Sequence, residues 1–280
     1  MFSSCENKMR KKQTGVNRMS VASRVQRHHT IEEKQKSPSP TGNVFGLKVP
    51  SEKIIENNIQ RFSLVIDLDA TFVHTLVDMI HYSRTIKLVE SIDDKIVKDD
   101  LMSRIITFTL QNCRMWTILR PGTMEFIEFA RYYFKDILVW SAGEKSYVEQ
   151  IVSIIFPPHI SKSAIIFHRD DCVPDDEIDC GDKIASPSTG DRRCLTKPLD
   201  RIFELNSEIN HSNTFILDDR SDIASMNIDN LIQITPFEPK LNLQGITHSD
   251  NAFEKLTAWL LREDVLTAPD VRNLDKSNIF

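Results

Sequence analysis

Two carboxylates one residue apart, Asp67 and Asp69, close the apolar run in Leu64-Val65-Ile66-Asp67-Leu68-Asp69-Ala70-Thr71. Side chains of a strand alternate between faces, so both carboxylates can aim at one point only where the strand ends and the backbone begins to turn. Open parallel sheets bind their ligands at that end. Carboxylates this close repel at neutral pH unless a cation or a shared proton relieves them, which implies either a divalent metal site or an acid/base dyad. Thr71 adds a hydroxyl to the same loop.

Further polar groups follow other apolar runs: Ser141, then Lys197 ahead of a helix, then the pair Asp218-Asp219. Hydrolysis of a phosphate monoester needs a nucleophile, an acid for the leaving oxygen, and donors or positive charge for the phosphoryl oxygens. Each part has a candidate in this set. The uncatalysed reaction needs up to ~10²¹-fold acceleration, so a route through an aspartyl-phosphate on Asp67 with metal assistance is chemically sensible. Taken singly, Asp218-Asp219 reads equally as a turn or helix cap, Ser141 as an N-cap and Lys197 as a solvated charge; the position of Asp218-Asp219 after an apolar strand, with the other groups upstream, favours a site. His168, Cys172, Cys180 and Cys194 lack the spacing of a compact zinc knuckle and read as unrelated loop and core residues.

The elements that must hold these groups alternate short apolar runs with amphipathic stretches from Arg61 onward, as in an α/β domain with a mainly parallel sheet. Strands are expected at Phe62 to Ile66, Ile137 to Trp140, Ala164 to Phe167 and Thr214 to Leu217, with helices over Met124 to Phe134 and from Tyr147 to Ile155. Between residues 76 and 119, Thr85 to Val89, Arg104 to Leu110 and Arg114 to Leu119 are rich in β-branched and aromatic residues. They predict a small antiparallel β insertion just after the first carboxylate loop, a cap that would shape substrate choice. Residues 170–194 are polar and acidic and predict a long surface loop.

The chain has 280 residues, 40% of them hydrophobic, enough for one folded domain over about 56–268 with a short C-terminal tail over 269–280. Residues 1–50 hold 10 Lys or Arg against 3 acidic residues, leaving 25 against 37 in the remainder. This composition predicts a disordered basic arm over 1–55, in which Lys8, Arg10, Lys11 and Lys12 form a cluster suited to nucleic acid or an import receptor. No apolar run approaches the roughly 20 residues of a membrane span and no signal-peptide core is present, so a soluble protein of the nucleus or cytoplasm is expected. Five scattered cysteines without a CxxC pair are expected to be thiols.

Asp67-Leu68-Asp69-Ala70-Thr71 resembles the DxDxT signature of haloacid-dehalogenase-type phosphatases of the FCP/SCP class. Arg120-Pro121-Gly122 resembles that family's RPG element, Trp140-Ser141-Ala142-Gly143 its second motif, Lys197 its motif lysine and Leu217-Asp218-Asp219-Arg220-Ser221 its final acidic motif, in matching order over residues 60–265. The resemblance implies a Rossmann-like fold and a Mg²⁺-dependent phosphatase acting on phosphoserine or phosphothreonine in proteins, such as the RNA polymerase II C-terminal domain. It makes Asp67 the nucleophile and Asp69 the general acid and then base. It gives Mg²⁺ the Asp67 carboxylate, the Asp69 backbone carbonyl, Asp218 and Asp219, and assigns phosphoryl contacts to Thr71 and Ser141, charge neutralisation to Lys197 and a substrate contact to Arg120. Ala70 stands where the family commonly has an acidic residue, and Pro198 where it usually has aspartate. Two other readings are a catalytically silent interaction scaffold of the same fold and a phosphatase of small metabolites.

Overall fold

The four residues of β1 (Ser63–Ile66) are all buried, because this strand lies at the centre of a sheet covered on both faces. The computed structural model describes residues 59–158, 165–175, 184–185 and 192–280. The expected basic arm over 1–55 lies outside them, as do 176–183 and 186–191 of the expected polar loop.

After the first carboxylate loop the chain forms β2 (Val73–Leu76), α1 (Met79–Glu90), α2 (Lys95–Arg104), β3 (Ile105–Leu110) and β4 (Cys113–Leu119). With Glu238–Ser249, which carries a later short helix, residues Val73–Leu119 make one compact unit. Its strands pair antiparallel in the order β2-β4-β3, and Gln111 and Asn112 turn β3 into β4 with both φ angles positive, the geometry of a two-residue hairpin. Thr85 to Val89, expected as a strand, is instead part of α1. Asp78 caps that helix by accepting the Ile80 and His81 N–H groups at 2.7 and 3.2 Å, and Thr85 and Val89, four residues apart, share its buried face. Asp94 caps α2 in the same way, and Val89, Ile92, Leu101 and Ile246 form this unit's core.

The larger unit continues with α3 (Thr123–Tyr133), β5 (Asp136–Trp140), α4 (Lys145–Ile155), β6 (Ile165–Phe167), β7 (Val173–Asp175), β8 (Ile184–Ala185), β9 (Arg192–Thr196), α5 (Asp200–Phe203), β10 (Thr214–Asp218) and β11 (Leu231–Gln233). Beyond the short helix α6 (Leu243–Ile246) of the smaller unit, it ends in α7 (Ala252–Leu260) and α8 (Glu263–Leu266). Gly122, with φ of 76°, starts α3 in the left-handed conformation, and Phe126, Ile127, Phe129, Ala130 and Tyr133 give that helix its buried face. Phe126 stacks on Phe253 of α7 with ring centroids 4.8 Å apart, and the Tyr133 hydroxyl donates to the Leu260 carbonyl at 2.9 Å.

All strands of the main sheet are parallel, in the order β11-β10-β1-β5-β6. The chain builds outward from β1 through β5 and β6, then crosses to the other side for β10 and β11. The topological switch therefore lies between β1 and β10, where such sheets bind ligands. Residues 170–194 are not loop throughout: β7, β9 and β8 form a small antiparallel sheet in that order, with Val173 paired to Thr196. Alternation within Cys194-Leu195-Thr196 buries Cys194 and Thr196. Residues 269–280 pack into the larger unit, burying Val271 and Ile279, and Trp259 Nε1 donates to the Asp275 carbonyl at 3.3 Å. Cys113 and Cys172 form no disulfide, but Cys194 is disulfide-bonded, so the expectation of thiols fails there. Spacing alone carries no pairing information.

Candidate active site

Strand register brings the acidic motifs together. Ile66 of β1 is level with Leu217 of β10, so the next residues, Asp67 and Asp218, stand side by side at the C-terminal edge. The ladder runs one step further, with the Asp67 N–H donating to the Leu217 carbonyl at 2.9 Å. Ala70 then adopts φ of 57°, and the Phe72 N–H returns to the Leu68 carbonyl at 2.8 Å, closing a tight loop that carries Asp69 and Thr71. A non-glycine residue in this conformation costs about 1 kcal/mol or more. The Phe237 N–H donates to the Ala70 carbonyl and helps to hold it.

Lys197 arrives from the end of β9, its backbone N–H held by the Ile223 carbonyl at 2.8 Å. Pro198 is tolerated because only Leu199 and a four-residue helix follow, and the Leu199 N–H is held by Asn227 Oδ1 at 2.9 Å. The Lys197 ammonium donates to Asp67 Oδ1 at 2.7 Å and to Asp218 Oδ2 at 2.6 Å. Its side chain is 1% exposed and that of Asp218 2%, so this is a buried ionic trio. Burial works against the lysine's charge, but Asp218 and Asp67 outweigh it and its pKa is raised. Burial, opposed by Lys197, raises the Asp67 carboxyl. Asp219 is pushed up to about 6 by burial and then by the charge of Asp218.

Ligand oxygens of Asp67, Asp218 and Asp219 lie within 4.8 Å of one another. Three carboxylates against the Lys197 ammonium leave a net charge of −2 when all are ionised. A hard divalent cation with oxygen ligands fits that donor set, and Mg²⁺ is such a cation. Among the described residues this is the one cluster of His, Cys, Asp and Glu that could hold a metal ion. His168 accepts the Asp170 N–H at Nδ1 as a local cap.

The Asp69 carboxylate is engaged elsewhere. Its Oδ1 accepts the Tyr147 hydroxyl proton in a short hydrogen bond from the first turn of α4. Burial lifts the Asp69 carboxyl to about 6, against the hydrogen bond from Tyr147 and the charge of Lys197. A group in that range can give a proton and take one back near neutral pH. Thr71 Oγ1 is buried with no hydrogen-bond partner, a donor with its work unassigned in the free protein. Ser141, just past β5, is buried and accepts the Gly143 N–H at 3.0 Å, which leaves its hydroxyl proton free to be donated.

Arg120, expected as a substrate contact, is buried and paired within the protein. It is 1% exposed, and its guanidinium pairs with Asp250 at 2.9 Å and donates to Thr235 Oγ1 and to the Thr71 carbonyl, both at 3.3 Å. Phe237 and Phe253 flank it with ring centroids 5.6 and 5.7 Å away. A guanidinium committed this fully braces the Thr71 loop from within. Tyr147, whose hydroxyl meets Asp69, is not among the residues singled out from the sequence, being one tyrosine among polar residues at a helix start.

A parallel α/β sheet whose switch-point strands end in clustered carboxylates and a buried lysine defines a haloacid-dehalogenase-like domain. Within that class the chain belongs to the NLI interacting factor-like phosphatase family, which it matches over residues 62–272. It is 26% identical over 186 residues to an RNA polymerase II C-terminal domain phosphatase of Schizosaccharomyces pombe, covering 64% of this chain and 21% of that protein. Its identity to the protein of the same name from Encephalitozoon cuniculi is 29% over 175 residues, covering 62% of this chain and 31% of that protein. The chain thus spans about a fifth to a third of these relatives. The solved structure of Fcp1, an essential RNA polymerase II CTD phosphatase, superposes with a TM-score of 0.47 and 22% identity, covering 78% of this chain and 53% of that one.

Proposed function

We propose that this protein is a Mg²⁺-dependent protein serine/threonine phosphatase that works through an aspartyl-phosphate on Asp67. The observation that carries this reading is the division of labour at the β1 edge. Asp67 sits in the cation cluster against Lys197, whereas Asp69 is held apart by Tyr147 at a pKa suited to proton transfer.

In the first step an Asp67 carboxylate oxygen attacks phosphorus, the bond from phosphorus to the serine oxygen breaks, and the departing oxygen takes the proton of Asp69. Asp69, now a carboxylate, then takes a proton from water as that water attacks phosphorus, and cleavage of the bond to Asp67 releases inorganic phosphate. Lys197 offsets negative charge at Asp67 throughout, and the hydroxyls of Thr71 and Ser141 donate to phosphoryl oxygens. Asp67, Asp218 and Asp219 would hold Mg²⁺, which when bound supplies charge neutralisation for the phosphoryl group.

The substrate class that fits best is phosphoserine in an extended, proline-containing peptide, as in the C-terminal domain of RNA polymerase II named for both relatives. Such a segment is already ordered as a polyproline helix and loses little entropy on binding. Phosphate release from phosphoserine peptides, polymerase repeats among them, tests the reading when run with and without Mg²⁺ beside Asp67→Asn and Asp69→Asn. Release that needs the metal and both carboxylates is expected. A folded, Mg²⁺-loaded protein inert on peptides and on an aryl phosphate would point to a scaffold, and release only from small phosphorylated metabolites would replace the protein substrate.

A further inference from the structure

Tyr147 lies outside every motif that marks the site, yet its hydroxyl is placed on one oxygen of the group that must protonate the leaving serine. It stands on α4, seven residues after Trp140 ends β5, and its ring position depends on the intervening loop. At Gly143 a Cβ would come within 2.9 Å of Tyr147 Cδ1 and 3.2 Å of Ser141 Oγ, so the missing side chain makes room for the ring and the serine together. The Gly143 carbonyl is tied down by the Arg169 N–H at 2.9 Å, and the Ala142 carbonyl by Arg169 Nε, also at 2.9 Å. The tyrosine is thus seated on a braced loop.

From this placement we infer that Tyr147 is a positioning residue for Asp69, fixing which carboxyl oxygen carries the proton delivered to the leaving group. The inference rests on the phosphatase reading and deepens it. A hydroxyl that donates to Oδ1 makes that oxygen the acceptor, so the acid proton resides on Oδ2 and the carboxyl cannot rotate without losing the bond. Transfer of that proton to the serine oxygen leaves Asp69 as a carboxylate still held at Oδ1, with Oδ2 ready to accept the proton of the attacking water. No proton moves through the tyrosine.

A leaving-group comparison tests this. Departure of a serine alkoxide needs the proton, whereas p-nitrophenolate leaves without one, so a misplaced acid slows the first substrate far more than the second. Tyr147→Phe keeps the ring and removes only the hydroxyl. It is expected to lower kcat/KM on a phosphoserine peptide about 10- to 100-fold, part of the 10²–10⁴-fold that a general acid supplies. The loss on p-nitrophenyl phosphate should be less than a tenth as large, and turnover of that substrate also reports that the variant is folded. In an Asp69→Asn background, Tyr147→Phe should cost nothing further on the peptide, because the two act as a unit.

Equal losses on both substrates, or an undiminished loss in the Asp69→Asn background, would overturn the positioning role while leaving the phosphatase reading intact. A wild-type protein inactive on both substrates with Mg²⁺ present would overturn the phosphatase reading, and the positioning role with it.

Discussion

Replacing Lys197 with methionine should turn the candidate site from tolerated to strongly destabilising, in a way that depends on pH. Methionine fills most of the lysine stem's volume, so the change removes charge with little cavity. Two hydrogen bonds of 2.7 and 2.6 Å are lost, and Asp67 and Asp218 remain buried without their shared counter-charge. Breaking a buried pair by removing one partner costs about 3–5 kcal/mol, a large part of the roughly 5–15 kcal/mol by which a domain is stable. The sign of the pH dependence follows from linkage. Without Lys197 nothing opposes the burial that already raises the Asp67 carboxyl, so the penalty is absent at low pH, where that carboxyl is protonated, and grows as pH rises towards neutrality. In the wild type the raised lysine pKa keeps Lys197 charged throughout that window, so any pH dependence of the difference between the two proteins comes from the carboxyls. Urea denaturation of both proteins at pH 4 and pH 7 without metal, then at pH 7 with Mg²⁺, measures these quantities. The expected result is near-equality at pH 4 and a loss of about 3–5 kcal/mol at pH 7, with Mg²⁺ at 100 times its Kd returning about 2.7 kcal/mol. A loss of the same size at both pH values would refute the reasoning, since it would place the lysine's contribution in packing.

Three further outcomes separate structural from chemical roles. Asp69→Asn should stabilise the metal-free protein at pH 7: a carboxyl lifted from its ordinary 3.8 to about 6 costs at most about 3 kcal/mol when ionised, which partial exposure reduces to about 1–2 kcal/mol. Because the folded pKa is the higher one, that gain should appear between pH 4 and 6 and be absent below, as read by denaturation at pH 4 and 7. Thr71→Val removes a hydroxyl with no partner, so stability should change by less than about 1 kcal/mol while phosphate release falls about 10²-fold; a large stability loss would show that the hydroxyl is structural. Arg120→Met should cost about 3–5 kcal/mol by leaving Asp250 without its cation, and titrating peptide against Arg120→Lys should show no selective rise in KM beyond the stability defect.

The strands that carry the carboxylates were legible because each is a short apolar run stopped by polar residues, as at Ile66-Asp67 and Leu217-Asp218. β11 was not, since Leu231–Gln233 is too brief to show a period. In α1, β-branched composition suggested a strand, and the deciding signals were the Asp78 cap and the spacing of Thr85 and Val89. The pairing of Arg120 was not legible because its partner Asp250 lies 130 residues further on, and no local pattern announces so distant a contact. Tyr147 escaped for a related reason: its meaning comes from the carboxylate it meets, 78 positions earlier. The site was readable where function is written in strand ends, and hidden where long-range contacts determine which groups are free to react.

That distinction bears on how the fold holds its own active site. A strand buried on both faces, like β1, has an apolar pattern that would accept several registers with its neighbours. Its polar ends are less permissive. If β10 slipped by one residue against β1, Asp218 would leave the level of Asp67, and Lys197 could no longer satisfy both carboxylates at the distances it now has. One buried carboxylate would then lack a partner, at a cost of several kcal/mol. The same three side chains that give the site its chemistry therefore discriminate against the misaligned sheet. The repulsion among these acids, offset by one lysine, also means that a divalent cation bound there would couple metal binding to folding stability.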